Sequence, residues 1–481
     1  MVEALAEGSN QTTSGHKAPQ MHAPVSNKNA KLSKWLTLAA MSLGYGIVQL
    51  DVTIVNVAIA SIGASFSGGV AALQWVLNAY TIAFAAFILT AGALGDRIGA
   101  KRVFLAGFAI FTSASLACVL APTLPLLISA RALQGLGAAV LVPNSLALLS
   151  HAYPGEQERG QAVAIWAAGA SLALTAGPLA GGALITVAGW RSIFLVNVPI
   201  GLVGLWLTWR DAKETTKSLH RRIDLPGQVA AIIALGCLSG AIIEGSVLDW
   251  TNGWILAGLI GALIAAAAFV IIERRAAQPM LPLSLFENQA FSTTALVGFL
   301  VNIAFYGLIF VFSLYFQQVN RLSAFWTGLA FVPMMAAVFF PNLIAARVAR
   351  HIGGKTTIAL GAGLAAASAL GLLEIDQGTP YGSIVVQLMA MAAGLGLLVP
   401  PLTSTLLGSV DKSRSGVASG VLNSMRQTGS VLGVALFGSL AGSAGGVLPG
   451  LRLALIIAAA LLASSAAAVL IGIPGGNLSR P

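Results

Sequence analysis

Charge is what this chain has least of. Asp, Glu, Lys and Arg make up 9% of its 481 residues, against about 25% in a soluble domain, which excludes a water-soluble globular protein. The five histidines, His16, His22, His151, His220 and His351, are scattered through loops and the N-terminal segment. They form neither a metal cluster nor a catalytic dyad, so no metal site and no enzyme activity is expected. Cys118 and Cys237, the only two cysteines, both fall inside apolar runs and give no disulfide framework. The polar first 34 residues lack the short apolar core and cleavage site of a secretory leader and read as a disordered cytosolic tail.

In place of charge stands a chain that is 57% hydrophobic with a mean hydropathy of +0.86. Apolar runs of roughly 17 to 25 residues recur from Trp35 to Ile473, each long enough to cross a hydrocarbon core about 30 Å thick as a helix. Fourteen spans are predicted, making an all-α polytopic membrane protein. With the N-terminus inside, Arg191, Arg321 and Arg452 fall outside and Arg131 and Arg426 within the membrane, and the rest of the 26 Lys and Arg face the cytosol. Both termini are therefore expected in the cytosol, the location in the plasma (inner) membrane and the state monomeric. The net charge of +10 faces anionic membrane lipid and is no sign of a nucleic-acid partner.

Charged interior segments at Arg210 to Asp224 and Glu273 to Glu287 divide the spans into six, two and six. The expected organisation is a tail at 1–34, a six-helix bundle at 35–210, a linker with two extra helices at 211–287, a second six-helix bundle at 288–473 and a cytosolic tail at 474–481. The sixes echo each other: Ile98-Gly-Ala-Lys-Arg-Val-Phe-Leu-Ala-Gly107 aligns without a gap on Ile352-Gly-Gly-Lys-Thr-Thr-Ile-Ala-Leu-Gly361. Each segment joins the second and third helix of its half. Repeated bundles suit a transporter whose midplane site is exposed alternately to the two sides.

Formal charge inside the runs is confined to Asp51, Arg131, Arg426 and Glu244, and such a charge costs several kcal/mol unless a partner or a function compensates. Asp51 lies roughly 24 Å from the inner edge at about 1.5 Å per residue, and Arg131, entering from the other face, roughly 20 Å from it. The two are expected to share a layer. An apolar setting favours a protonated carboxyl and a nearby guanidinium an ionised one, so Asp51 moving between such settings loads and releases a proton. A fixed ion pair joining helices one and four is the plainer alternative. Arg426 lies near the midplane of the thirteenth span, suited either to order Asn423 and Gln427 or to meet an anionic substrate group. Glu244 lies near the outer end of the seventh span, within reach of solvent.

The sharpest motif is Gly92-Ala-Leu-Gly-Asp-Arg-Ile-Gly-Ala-Lys-Arg102. It resembles the loop signature of the major facilitator superfamily, which implies a conformational latch made by Gly92, Gly95, Asp96, Arg97, Gly99, Lys101 and Arg102. Its glycines suit a tight turn and close helix approach, and Asp96 suits the N-terminus of a helix in the opposite bundle. Ala100 stands where the family carries a cation. Leu50-Asp-Val-Thr-Ile-Val-Asn-Val-Ala58, Arg131-Ala-Leu-Gln-Gly-Leu-Gly-Ala-Ala139 and Gly177-Pro-Leu-Ala-Gly-Gly182 resemble motifs of the drug:proton antiporters, as do Asn423-Ser-Met-Arg-Gln-Thr-Gly429 and Tyr315-Phe-Gln-Gln-Val319. With fourteen spans, the resemblance is to the fourteen-helix branch, departing from it at Ile59-Ala60 and Ala173. In the fifth span Pro178 kinks the helix while Gly177, Gly181 and Gly182 let a neighbouring backbone approach.

The resemblance implies a multidrug or antibiotic exporter with the proton as coupling ion, Asp51 and Arg131 as the coupling pair and no cofactor. Trp75, Asn78, Tyr80, Asn302, Tyr306 and Arg426 are the expected cavity residues for a small amphipathic, possibly cationic, substrate. Gly353-Gly-Lys-Thr356 lacks the first glycine of a phosphate-binding loop, Ala349 standing there, so no nucleotide partner is expected. A proton-coupled carrier of one endogenous metabolite or antibiotic, and a sensor or scaffold that moves nothing, remain the alternatives.

Overall fold

A computed structural model describes residues 27–217, 224–411, 414–443 and 445–473. Residues 1–26 of the tail expected at 1–34, and all of the tail expected at 474–481, lie outside them, and the first helix already begins at Asn27, inside the segment read as tail. The helices are α1 (Asn27–Phe66), α2 (Val70–Ile98), α3 (Ala100–Leu120), α4 (Leu124–Ala152), α5 (Glu156–Ala188), α6 (Ser192–Asp211, broken at Val196), α7 (Leu225–Leu248) and α8 (Gly253–Arg275). There follow α9 (Gln289–Leu314, ending in a wide turn at Tyr315–Val319), α10 (Ala324–Ile352), α11 (Gly354–Leu370), α12 (Tyr381–Gly408), α13 (Ser415–Gly442) and α14 (Val447–Gly472). No strand occurs among the described residues.

Twelve of these fourteen helices are long and apolar enough to cross a membrane. The other two of the fourteen helices fall short of that measure: α11 has 17 residues, and α13 is diluted by Ser, Asn, Gln and Arg. Breaks between helices fall where side chains or glycine satisfy the freed backbone. Asn252, Asn288 and Ser323 accept N–H groups at the starts of α8, α9 and α10. Gly99 (φ +108°) separates α2 from α3 and Gly353 (φ +87°) separates α10 from α11. These two glycines are the aligned positions of the internal echo, so both halves use one left-handed residue as a hinge between their second and third long helices.

Helices α1 to α6 pack on one another, as do α9 to α14. The two groups meet along α2 with α13 and α5 with α10, while α7 lies against both α2 and α13 and carries α8 on its far side. The outer faces stay apolar: Trp254 is 82% exposed, Leu263 72% and Ile471 81%. Water does not tolerate so continuous a surface, whereas lipid does.

Candidate functional site

Asp51 sits on α1 with no exposed surface. Its Oδ2 accepts from Arg131 Nη1 at 2.5 Å, and its Oδ1 accepts from Gln134 Nε2 at 3.0 Å and from Asn197 Nδ2 at 3.1 Å. The Arg131 guanidinium also donates to the Val76 carbonyl (3.1 Å) and to Gln134 Oε1 (2.6 Å), and lies over the Tyr80 ring at 4.3 Å. Gln134 reaches on to Ser115 Oγ at 2.9 Å. One carboxylate thus gathers α1, α2, α3, α4 and α6 around it, in an ion pair supported by further hydrogen bonds from Gln134 and Asn197.

Glycines in the same motifs make this approach possible. A Cβ on Gly135 would stand 2.1 Å from the Tyr80 carbonyl oxygen, and one on Gly137 would meet the Phe111 backbone at 2.7 Å. Bare backbone at these two positions seats α4 between α2 and α3, which swings Arg131 onto Asp51. Gly177 and Gly181 do the same for α5 against α1, facing Thr53 and Ile54, and Thr53 Oγ1 donates to the Leu174 carbonyl at 3.0 Å. On the opposite side of α5, Gly182 meets Ala324 and Phe325, and the Pro178 carbonyl meets Gly328 of α10.

The loop from Gly92 to Arg102 is held mainly within its own half. Gly95 leaves room for Asn144, whose Nδ2 donates to the Ala91 carbonyl at 3.1 Å. Gly99 faces Glu214, which accepts from the Lys101 backbone N–H at 2.9 Å and lies 3.8 Å from Arg102 Nε. Lys101 Nζ donates to the Trp209 carbonyl. Gly92 rests at ordinary distance from Pro143, Asp96 is half-buried and Arg97 is exposed.

The expected cavity residues separate. Trp75 turns toward α7, donating to the half-buried Glu244 at 2.8 Å, so this carboxylate ties an extra helix to α2. Asn78 is fully buried and neither of its side-chain polar atoms has a partner among the described residues; the Tyr80 hydroxyl is likewise unpartnered. Asn302 donates to the Gly298 carbonyl of its own helix and packs against Gly429. Tyr306 is half-buried on α9, Arg426 on α13 passes Gly298 of that helix, and Tyr45 on α1 stacks on Trp166. Gln134, Ser115, Asn197, Tyr45 and Glu214 were not singled out by sequence. Gln134 stood in a quoted motif, and Asn197 is an amide in an apolar run, a signal of the same kind as Asp51.

The two halves are closed at the end bearing the α1–α2 turn. There Ser313 Oγ donates to the Asn56 carbonyl at 2.5 Å, and Gln74 Nε2 donates to the carbonyls of Val434 (2.9 Å) and Ala435 (2.7 Å). Helices α4 and α12 do not pack together to any comparable extent.

The Major Facilitator Superfamily profile matches residues 41–226 and again 225–434. A Streptomyces coelicolor protein named "Methylenomycin A resistance protein" is 38% identical over 403 residues, 83% of this chain and 84% of its own length. "Multidrug resistance protein Stp" of Mycobacterium tuberculosis is 37% identical over 84% of this chain and 75% of its own. Among solved structures, a bacterial homolog of the human lysosomal transporter Spinster, inward-facing and unoccupied, shares the fold with a TM-score of 0.67 and 17% identity, over 92% of this chain and 97% of its own. Profile, relatives and helical architecture agree: the chain belongs to the Major Facilitator Superfamily and is a multi-pass membrane transporter.

Proposed function

We propose that the protein is a secondary active exporter that moves amphipathic drugs or antibiotics out of the cell in exchange for protons. Fourteen crossings in a six, two, six arrangement, with both termini in the cytosol, provide alternating access, and the proton is the only coupling agent. The observation that carries this reading is the Asp51 site, a buried carboxylate whose only counter-charge among the described residues is Arg131 and whose other hydrogen-bond donors are neutral amides. Such a site changes state through one proton. Protonation removes half of a buried ion pair, a change worth about 3–5 kcal/mol if nothing moves, so it drives rearrangement of the helices that Arg131 joins.

Asn197 suits both states. Its Nδ2 donates to the carboxylate, while its buried Oδ1 has no partner among the described residues; an amide turned over would accept from the protonated carboxyl. The end joined by Ser313 and Gln74 is the one that the Lys and Arg distribution assigns to the outside.

Reconstituted in proteoliposomes, the purified protein accumulates substrate under an imposed pH gradient and stops when a protonophore collapses it. Asp51→Asn is expected to bind substrate and lose gradient-driven accumulation. Accumulation indifferent to the gradient, or fully retained in Asp51→Asn, overturns the proposal. A narrower carrier of one antibiotic is favoured by the 38% identity to a protein named for resistance to methylenomycin A, and transport of one member of a broad substrate panel distinguishes it.

A further inference from the structure

Helices α3 and α6 pack closely on one side and leave a groove on the other. Gly201 and Gly204 of α6 face Thr112 and Phe108 of α3, where bare backbone draws the two helices together. On the outer side Ala106 and Ala109 of α3 are exposed and offer only methyl groups opposite Leu202, Trp206 and Trp209 of α6. The result is an open apolar groove of about 550 Å³ with no charged residue in its lining. Ala109 lies roughly 14 Å along α3 from Ala100 at about 1.5 Å per residue. That is close to the depth of one leaflet, roughly half of a hydrocarbon core about 30 Å thick.

One mouth of the groove is cationic. Lys101 Nζ donates to the Trp209 carbonyl at 2.9 Å, and the Arg210 guanidinium lies over the Trp206 ring at 5.2 Å, so both cations stand on residues that line the groove. Arg102 is exposed next to Lys101 in the chain. Neighbouring carboxylates do not use these groups up. Asp211 lies 3.9 Å from Arg210 and Glu214 lies 3.8 Å from Arg102, both beyond hydrogen-bond length. Glu214 accepts instead from the backbone N–H groups of Lys101 and Thr215. Donors of two guanidinium groups and one ammonium therefore stay available. They stand at the end that the Lys and Arg distribution assigns to the cytosol, where the facing leaflet carries anionic headgroups.

We infer that this groove is a binding site for an anionic phospholipid, with an acyl chain laid over Ala106 and Ala109 against Trp206 and Trp209 and the phosphate received by Lys101, Arg102 and Arg210. The two halves of the site select together. A zwitterionic lipid fills the groove but brings the cations no net charge, and a soluble anion meets the cations but leaves the apolar groove empty. A lipid so held ties the start of α3, just beyond the Gly99 hinge, to the end of α6.

The test uses the full chain in a neutral detergent, titrated with phosphatidylglycerol or phosphatidylcholine carrying bromine on the acyl chains, with binding read by quenching of tryptophan. Phosphatidylglycerol is expected to reach half-saturation at a concentration at least about fivefold lower, the worth of one cation near an anionic surface. Arg102→Gln/Arg210→Gln is expected to bring the two lipids within about twofold. Ala109→Phe, on an exposed face, fills the groove with the cations intact and is expected to weaken phosphatidylglycerol at least about threefold. Trp206→Phe/Trp209→Phe is expected to remove the part of the quenching that depends on headgroup. Should the double arginine variant fail to fold, about 1 M salt must narrow the preference in the unaltered protein. Equal half-saturation by the two lipids, a preference untouched by the arginine changes or by salt, binding indifferent to Ala109→Phe, or headgroup-dependent quenching undiminished without the two tryptophans overturns the inference.

Discussion

At the scale of single residues, the site depends as much on missing side chains as on charged ones. Gly135→Ala puts a methyl 2.1 Å from the Tyr80 carbonyl oxygen, where helix backbone must move, at a cost of about 1–3 kcal/mol or more. Thermal unfolding in detergent should show Gly135→Ala as strongly destabilised and Gly92→Ala, 3.6 Å from Pro143, as nearly silent. Asn197→Leu removes one hydrogen bond to Asp51 and the partner proposed for its protonated form. The expected result is a modest loss of stability, about 1–3 kcal/mol, with a displaced pH dependence of transport; an unchanged pH profile would count against the amide's role. Asp51 and Arg131 were legible in the sequence because a bilayer fixes depth, and depth counted along two helices brings both to one layer. Asn197 was not, because a neutral amide carries no formal charge and stands in none of the recognised motifs. Trp75 shows the other limit: in a span apolar on every side, nothing in the pattern says which face looks inward.

At the scale of helices, the fold was readable where polarity or glycine interrupts it, and less so where polarity enters a span. α13 was read as a span although Asn423, Arg426 and Gln427 dilute its apolar character. The echo of Gly99 in Gly353 was legible because a left-handed hinge constrains residue type more tightly than apolar packing does. Between halves, Gln74→Leu removes both bonds from α2 to the α13 carbonyls. A cysteine introduced at Ser313 in that background should react faster with a membrane-impermeant maleimide added from outside than in the Gln74 protein; equal rates would mean that Gln74 does not hold this end closed. Glu244→Leu leaves the Trp75 indole N–H without its acceptor and should lower the stability of the assembly by about 1–3 kcal/mol in a thermal shift assay.

For the whole molecule, α7 and α8 add a wing to the twelve-helix body without reaching the Asp51 network. Alkaline phosphatase fused after Asp249 should be active, and fused after Arg275 inactive, if the chain is oriented as its Lys and Arg indicate; the reverse pattern would invert the topology. The seam between α5 and α10 bears on speed. There Gly182 and Gly328 face backbone rather than side chains, so the two surfaces meet like the smooth races of a bearing, with no knob to lift from its hole when one half turns on the other. Sliding along such a surface demands no rotamer change, and the turnover number, more than the affinity, is what a single added methyl at Gly328 should slow.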